Sequence, residues 1–281
     1  TGASGNLGGR VADLLSEKEQ SLRLMVRDMN EAPQLPKAEV VEANYDDPDS
    51  LDHAFSGIDA AFVVSVHAKP MERALLHKNA FDAAARAEVK HLVYTSFQGA
   101  SPTSKFPFAR DHHQSEQYLQ ASRVPFTSLR NNFYLDLIPE FFNEDGFILG
   151  PAADGALAWV ARDDIARVAA AKLVAPLGQN EILDVTGPEA LTMAETAERI
   201  SALAGRELHY RPESVEEGRK WRSTLGAPDW EVDAWLGSYE AAAAGELAQT
   251  SETVLRITGR HPLSIEAFFS ANPHWLDSLQ V

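Results

Sequence analysis

Apolar residues at Leu7, Val11, Leu14 and Leu15 fall on one helical stripe, so the pattern predicts a helix opening near Asn6. The apolar run Leu22–Val26 then reads as a strand, and a second strand is expected around 40–42, beyond the loop holding Pro33 and Pro36. Asp47 followed by Pro48 is a cap residue with proline at the first helical position, and Gly57 ends that short helix. The unbroken apolar run 60–66 has the length of a strand buried on both faces. Helices over 71–87 and 111–121 alternate with strands at 91–95 and 126–129. Beyond about residue 133 the alternation fades. Asp163 or Asp164 starts a helix carrying Ile165, Val168 and Leu173, and Thr192 with Glu195 predicts a capping box for a helix ending near Gly205. Residues 213–246 read as helical, polar and acidic.

Strands alternating with helices at this spacing predict right-handed βαβ units and a parallel sheet covered on both faces. The expected fold is therefore α/β, a doubly wound Rossmann-like sheet with a smaller α-rich C-terminal part. The expected division is 1–132 for the sheet domain and 133–281 for the part that covers the substrate, with 158–187 returning to the sheet.

Gly2, Gly5 and Gly8 form a G-x-x-G-x-x-G pattern at a helix start. Glycine lets backbone turn tightly against a pyrophosphate, and a helix N-terminus offers free N–H groups and partial positive charge. Ser4 and Asn6 add polar side chains to this loop. Glycines also mark ordinary turns, so the pattern gains weight from the amphipathic helix behind it and from the end of the next strand. Arg27 stands there, where an Asp or Glu would bind a ribose hydroxyl and an Arg accommodates a 2′-phosphate. Asp28 is its neighbour, and a slip of one residue would reverse the reading, which as it stands favours NADP(H). The loop opens the chain with no apolar strand ahead of it, whereas the first strand of such a sheet is central. A short apolar β segment before Thr1 is therefore expected.

Composition narrows the class. The 281 residues carry a formal charge of −16, which argues against nucleic-acid backbones and anionic membrane surfaces as partners. There is no cysteine, which excludes disulfides and thiolate chemistry and suits a cytoplasmic location. The apolar run at 60–66 is far shorter than the ~20 residues of a membrane helix, so a protein off the membrane is expected.

In open α/β sheets ligands lie beyond the carboxyl ends of the strands. Those ends hold Ser65 and Val66, then Thr95, Ser96 and Phe97, then Asn131 and Tyr134. None of the eight lysines has a tyrosine four positions before it, so the Tyr-x-x-x-Lys pair of the usual short-chain dehydrogenases is missing. His112 and Glu116 share a helix face. His112 is either a proton donor to a reduced substrate or a surface histidine paired with Glu116. Adjacent His112 and His113 diverge on a helix, which disfavours a metal site. No G-x-S-x-G elbow occurs.

The segments Thr1-Gly-Ala-Ser-Gly-Asn-Leu-Gly8, Met25-Val-Arg-Asp28, Arg110-Asp-His-His-Gln-Ser-Glu116 and Phe126-Thr-Ser-Leu-Arg-Asn-Asn-Phe-Tyr134 together resemble the NmrA-like atypical short-chain dehydrogenases. The likeness is greatest to the branch of quinone oxidoreductase type 2 and triphenylmethane reductase, and it spans nearly the whole chain. The resemblance implies that Gly2, Ser4, Gly5, Asn6, Leu7 and Arg27 bind NADP(H), that Ser65 and Val66 lie along it, and that Phe97 lies near its nicotinamide half. It implies a proton-donor role for His112 and a substrate-facing position for Asn131 and Tyr134 in a cleft between the two parts. Asn44, where many relatives keep an Asp, becomes an uncertain contact on the adenine side. The expected activity is hydride transfer to a quinone-like or other conjugated small molecule. The alternatives are a non-catalytic NADP(H)-sensing regulator with a partner surface near 213–246, and an epimerase, which the missing pair disfavours. A homodimer stays open.

Overall fold

The computed structural model describes residues 1–175 and 179–279. Helix α1 (Asn6–Glu17) buries Leu7, Val11 and Leu15 of the expected stripe together with Ala12, and leaves Leu14 half-buried. It leads into β1 (Leu22–Val26), which pairs in parallel with β2 (Ala38–Glu42). Asp47 caps α2 (Pro48–Phe55) by accepting the N–H groups of Asp49 and Ser50.

Strand β3 (Ala60–Val63) stops short of the apolar run that announces it. The cause is tertiary: the N–H groups of Val64, Ser65 and Val66 go to the side chains of Thr1 (Oγ1, 3.0 Å), Thr95 (Oγ1, 2.6 Å) and His77 (Nε2, 3.0 Å) rather than to backbone carbonyls of β4. Helix α3 (Glu72–Arg86) then precedes β4 (His91–Phe97), which pairs in parallel with β3. Helix α4 (Pro107–Ala121) starts earlier than its periodicity suggests, with proline in its first turn, and leads to β5 (Phe126–Asn131).

After β5 come the short strands β6 (Phe147–Gly150) and β7 (Ala156–Leu157), then helix α5 (Arg162–Val174) and β8 (Glu181–Val185). Next are β9 (Leu191–Thr192), α6 (Met193–Ala204) with its Thr192/Glu195 capping box and left-handed Gly205, and β10 (His209–Pro212). Helices α7 (Val215–Arg222), α8 (Asp229–Ala243), α9 (Thr253–Thr258) and α10 (Ile265–Ala271) complete the order.

Strands β3, β4, β5 and β8 form one sheet in the order β3-β4-β5-β8, and β1 with β2 forms another. A cavity of about 440 Å³, lined by Ala3, Val11, Leu24, Phe55, Ala60 and Phe62 among others, touches both β1 and β3.

The chain divides into two compact units. The first holds residues 1–97, 111–130 and 162–183; the second holds 98–110, 131–161 and 184–281. The first unit's core gathers Met25, Val41, Leu51, Phe55, Val63, Phe81, Leu92, Leu119 and Phe126, with α2 packed on α3 and α1 on α5. In the second unit β6 pairs with β10 and β7 with β9, so this part is less purely helical than its sequence suggests. Such short strands, with β10 mostly exposed, leave almost no apolar alternation to read. The 213–246 stretch is not a polar outer face: α8 buries Val232, Leu236, Tyr239 and Ala242, and Glu213 is held by Arg222 and the Trp221 indole.

Candidate active site

The glycine loop is built for close approach. Gly2 sits at φ +61°, a left-handed conformation that side chains disfavour. A Cβ at Gly8 would stand 2.2 Å from Gly2 O and 2.9 Å from Thr1 O, both backbone atoms that cannot swing aside. Gly5 caps α1 with no side chain bonded to the helix end. The first helical bond is Gly9 N–H to Gly5 O at 2.8 Å, so the N–H groups of Asn6, Leu7 and Gly8 precede the ladder and have no partner one turn back. Ser4 and Asn6 are exposed, while the Leu7 side chain is buried and only its backbone faces the loop. Three free N–H groups on a glycine-lined turn suit a diphosphate, which carries charge and offers acceptors but needs room.

Arg27 follows the last residue of β1, is exposed, and makes no hydrogen bond or ion pair among the described residues. Asp28 is engaged locally: its carboxylate accepts the backbone N–H and the side-chain amide of Asn30, both at 2.8 Å. The carboxylate is thus occupied as a cap, while the neighbouring guanidinium has no partner among the described residues. Asn44 is exposed and turns its side-chain oxygen to Tyr45 N–H at 2.8 Å.

At the strand ends of the first unit the structure brings Ser65, Val66 and His112 together around an arginine. Arg73, buried on α3, donates through Nε to Val66 O at 2.8 Å, and through one terminal nitrogen to Ser65 Oγ at 2.5 Å and His112 Nε2 at 3.1 Å. The other His112 nitrogen, Nδ1, meets Tyr94 OH at 2.9 Å. Phe97 lies parallel to the His112 ring, with centroids 6.2 Å apart. Burial first, and then the Arg73 cation, hold His112 well below the ordinary histidine range. His77 is lowered by the same two causes in the same order. Tyr94 is pushed up by burial.

The reading of His112 as a surface histidine paired with Glu116 fails. Both side chains are buried, and Glu116 belongs to a separate cluster. Its carboxylate accepts from Ser96 Oγ (2.7 Å), Ser128 Oγ (2.9 Å) and, through both oxygens, from Arg130 (2.6 and 2.9 Å). A carboxylate taken from water needs this many donors, and all are supplied by neighbouring strands β4 and β5.

In the second unit Asn131 is buried, and neither its amide oxygen nor its nitrogen finds a partner. A buried amide without partners is costly unless a ligand supplies them. Asn132, beside it, is satisfied by Gln98 (2.5 Å) and Leu247 O (2.8 Å). Tyr134 is half-buried, with its backbone bridged to Val160. Sequence reasoning missed Arg73, His77 and Tyr94. One signal existed: Arg73 and His77 occupy the same helical stripe as the apolar Ala80, Phe81 and Ala84, a place where polar residues must be held by partners.

An NAD(P)H-binding family matches residues 2–176. An NAD(P)H azoreductase of Xenophilus azovorans is 32% identical over 278 residues, covering 96% of each chain. Among solved structures, the Escherichia coli NADPH-dependent quinone oxidoreductase QOR2 in complex with NADPH superposes with a TM-score of 0.87 at 27% identity, over 96% of this chain and 98% of that one. A Citrobacter sp. triphenylmethane reductase complexed with NADP(H) gives 0.85 at 28% identity, with the same coverage. With the glycine cradle, the unpaired Arg27 and matches along the whole chain, this protein belongs to the NAD(P)H-binding NmrA-like reductases, in the branch of the quinone and triphenylmethane reductases.

Proposed function

We propose that the protein is an NADPH-dependent reductase that passes hydride to a quinone-like or other conjugated small molecule. The observation that carries the reading is the pairing of a cradle that only glycine can line with a free arginine at the end of β1. NADPH, when bound, supplies the hydride. The chain's own residues bind and orient. The N–H groups of Asn6, Leu7 and Gly8, with Gly2, Ser4 and Gly5 around them, take the diphosphate, and Arg27 takes the 2′-phosphate as a charge-assisted fork. Ser65 and Val66 form a wall fixed from behind by Arg73 and His77, and Phe97 covers the His112 ring. The unsatisfied amide of Asn131 offers a donor and an acceptor to a bound acceptor molecule, with Tyr134 three residues on.

His112 serves as an orienting group in this reading. Its Nε2 faces a guanidinium, which can only donate, so that nitrogen has no proton to give. A conjugated acceptor fits such a site, because the oxyanion formed on reduction is delocalised and needs little acid catalysis. Proximity and alignment then supply most of the acceleration. The experiment is NADPH oxidation followed against a panel of quinones and conjugated dyes. Turnover with at least one member is expected, and tight NADPH binding without turnover would replace the reductase with a cofactor sensor.

A further inference from the structure

The buried cluster behind Ser65 and Val66 has only one consistent arrangement of protons. Arg73 cannot accept, so His112 Nε2 accepts from it, and the neutral ring carries its proton on Nδ1. The Val66 backbone N–H cannot accept either, so His77 Nε2 accepts from it, and His77 is likewise the Nδ1–H form. His112 therefore donates to Tyr94 OH at 2.9 Å. The Tyr94 hydroxyl has Ser115 as a further partner, and Ser115 in turn donates to Asp111 O at 2.8 Å. The His77 Nδ1–H reaches Ser115 Oγ at 2.9 Å and Tyr94 OH at 3.0 Å. The ring hydrogens thus point away from Arg73 and the Val66 N–H toward the Asp111 carbonyl on α4, and moving either ring proton to Nε2 would set two donors face to face.

We propose that Arg73 is a positioning residue for the bound cofactor: it clamps the Ser65–Val66 segment to α4 and locks His112 as a neutral ring that accepts at Nε2 and carries its proton on Nδ1. This rests on the reading that Ser65 and Val66 line the cofactor. The groups around the His112 ring come from four elements. Arg73 and His77 come from α3, Tyr94 and Phe97 from β4, and Ser115 from α4 itself, with Arg130 of β5 adding a second positive charge at longer range. Glu116, four residues along α4, directs its negative charge to Arg130 instead. Burial, the Arg73 guanidinium, charged at any working pH, and Arg130 all oppose a second proton on the ring.

The test uses nitrogen-15 and proton NMR of the histidine rings in the cofactor-free protein, together with kcat and KM for NADPH as functions of pH. In the wild type His112 should show the Nδ1–H tautomer and no titration through the neutral range. Arg73→Lys keeps a cation but gives up the two-nitrogen fork, so KM for NADPH should rise about tenfold while kcat changes little. In Arg73→Gln burial still keeps His112 neutral, but Nε2 loses its charged donor, so the ring nitrogen-15 shifts should report a mixture of the two tautomers. A wild-type His112 that titrates near the ordinary histidine value, or that carries its proton on Nε2, overturns the proposal whether or not any variant folds. An Arg73→Gln protein with unchanged His112 shifts and unchanged KM overturns it too. Failure of the wild type to bind NADPH would remove the functional reading instead, and the ring spectra would still decide the tautomer.

Discussion

Lowering the pH should destabilise the first unit well before its carboxylates protonate. His77 and His112 are neutral in the folded state because burial, then Arg73, hold both far below the usual value of 6.5. Unfolding returns each ring to water, where it takes up a proton at about pH 6.5. The unfolded state thus binds more protons below that point, and the stability these rings allow is fully present above it and lost as the pH falls. One pH unit below it, each histidine costs about 1.4 kcal/mol and the pair about 2.8 kcal/mol, a large share of a typical domain's stability. His91, lowered by burial and then by Lys172, acts with the same sign. Tryptophan fluorescence is the wrong probe, because all five tryptophans lie in the second unit. Hydrogen exchange of β4 amides, corrected for intrinsic rates, reads the first unit directly. Opening free energies should fall by about 2.8 kcal/mol between about pH 7.5 and 5.5, and by about half of that in His112→Gln. A flat profile would refute the argument, as would the same fall in His77→Gln/His112→Gln.

Three further outcomes follow from single contacts. Gly8→Ala should cost about 1–3 kcal/mol in thermal or urea unfolding and abolish most NADPH binding, since its Cβ meets backbone at 2.2 Å. Arg130→Met should cost about 3–5 kcal/mol by circular dichroism melting, because it leaves the buried Glu116 carboxylate with only Ser96 and Ser128 as partners. Asp28→Ala should lose about 1 kcal/mol or less of local stability and leave the ratio of NADPH to NADH affinities unchanged, and an altered ratio would make Asp28 the ribose ligand.

Much of this was legible in the sequence, and the reasons it was or was not are local. The stripe from Leu7 to Leu15, the Asp47-Pro48 start and the Thr192/Glu195 box are signals that each involve a few neighbouring residues, and all appear in the structure. The α/β class and the reductase family were readable for the same reason, because the glycine spacing and strand–helix alternation are properties of sequence order. The end of β3 was not legible, since it depends on N–H groups captured by Thr95 and His77 from elsewhere in the chain. The pairing of β6 with β10 joins segments some sixty residues apart and leaves no periodic trace. At the candidate site, spacing put His112 and Glu116 on one face but could not show that their partners lie on other elements, Arg73 and Tyr94 for one and Arg130 for the other.

The central claim is that a free guanidinium after β1 selects the phosphorylated coenzyme at the glycine cradle. Calorimetric titration of NADPH and NADH into the wild type and into Arg27→Glu tests it most directly. The wild type should prefer NADPH by about tenfold or more, as loss of charge-assisted bonds to a phosphate implies, and the variant should lose or reverse that preference. Equal affinities in the wild type, or an undiminished preference in Arg27→Glu, would contradict the account.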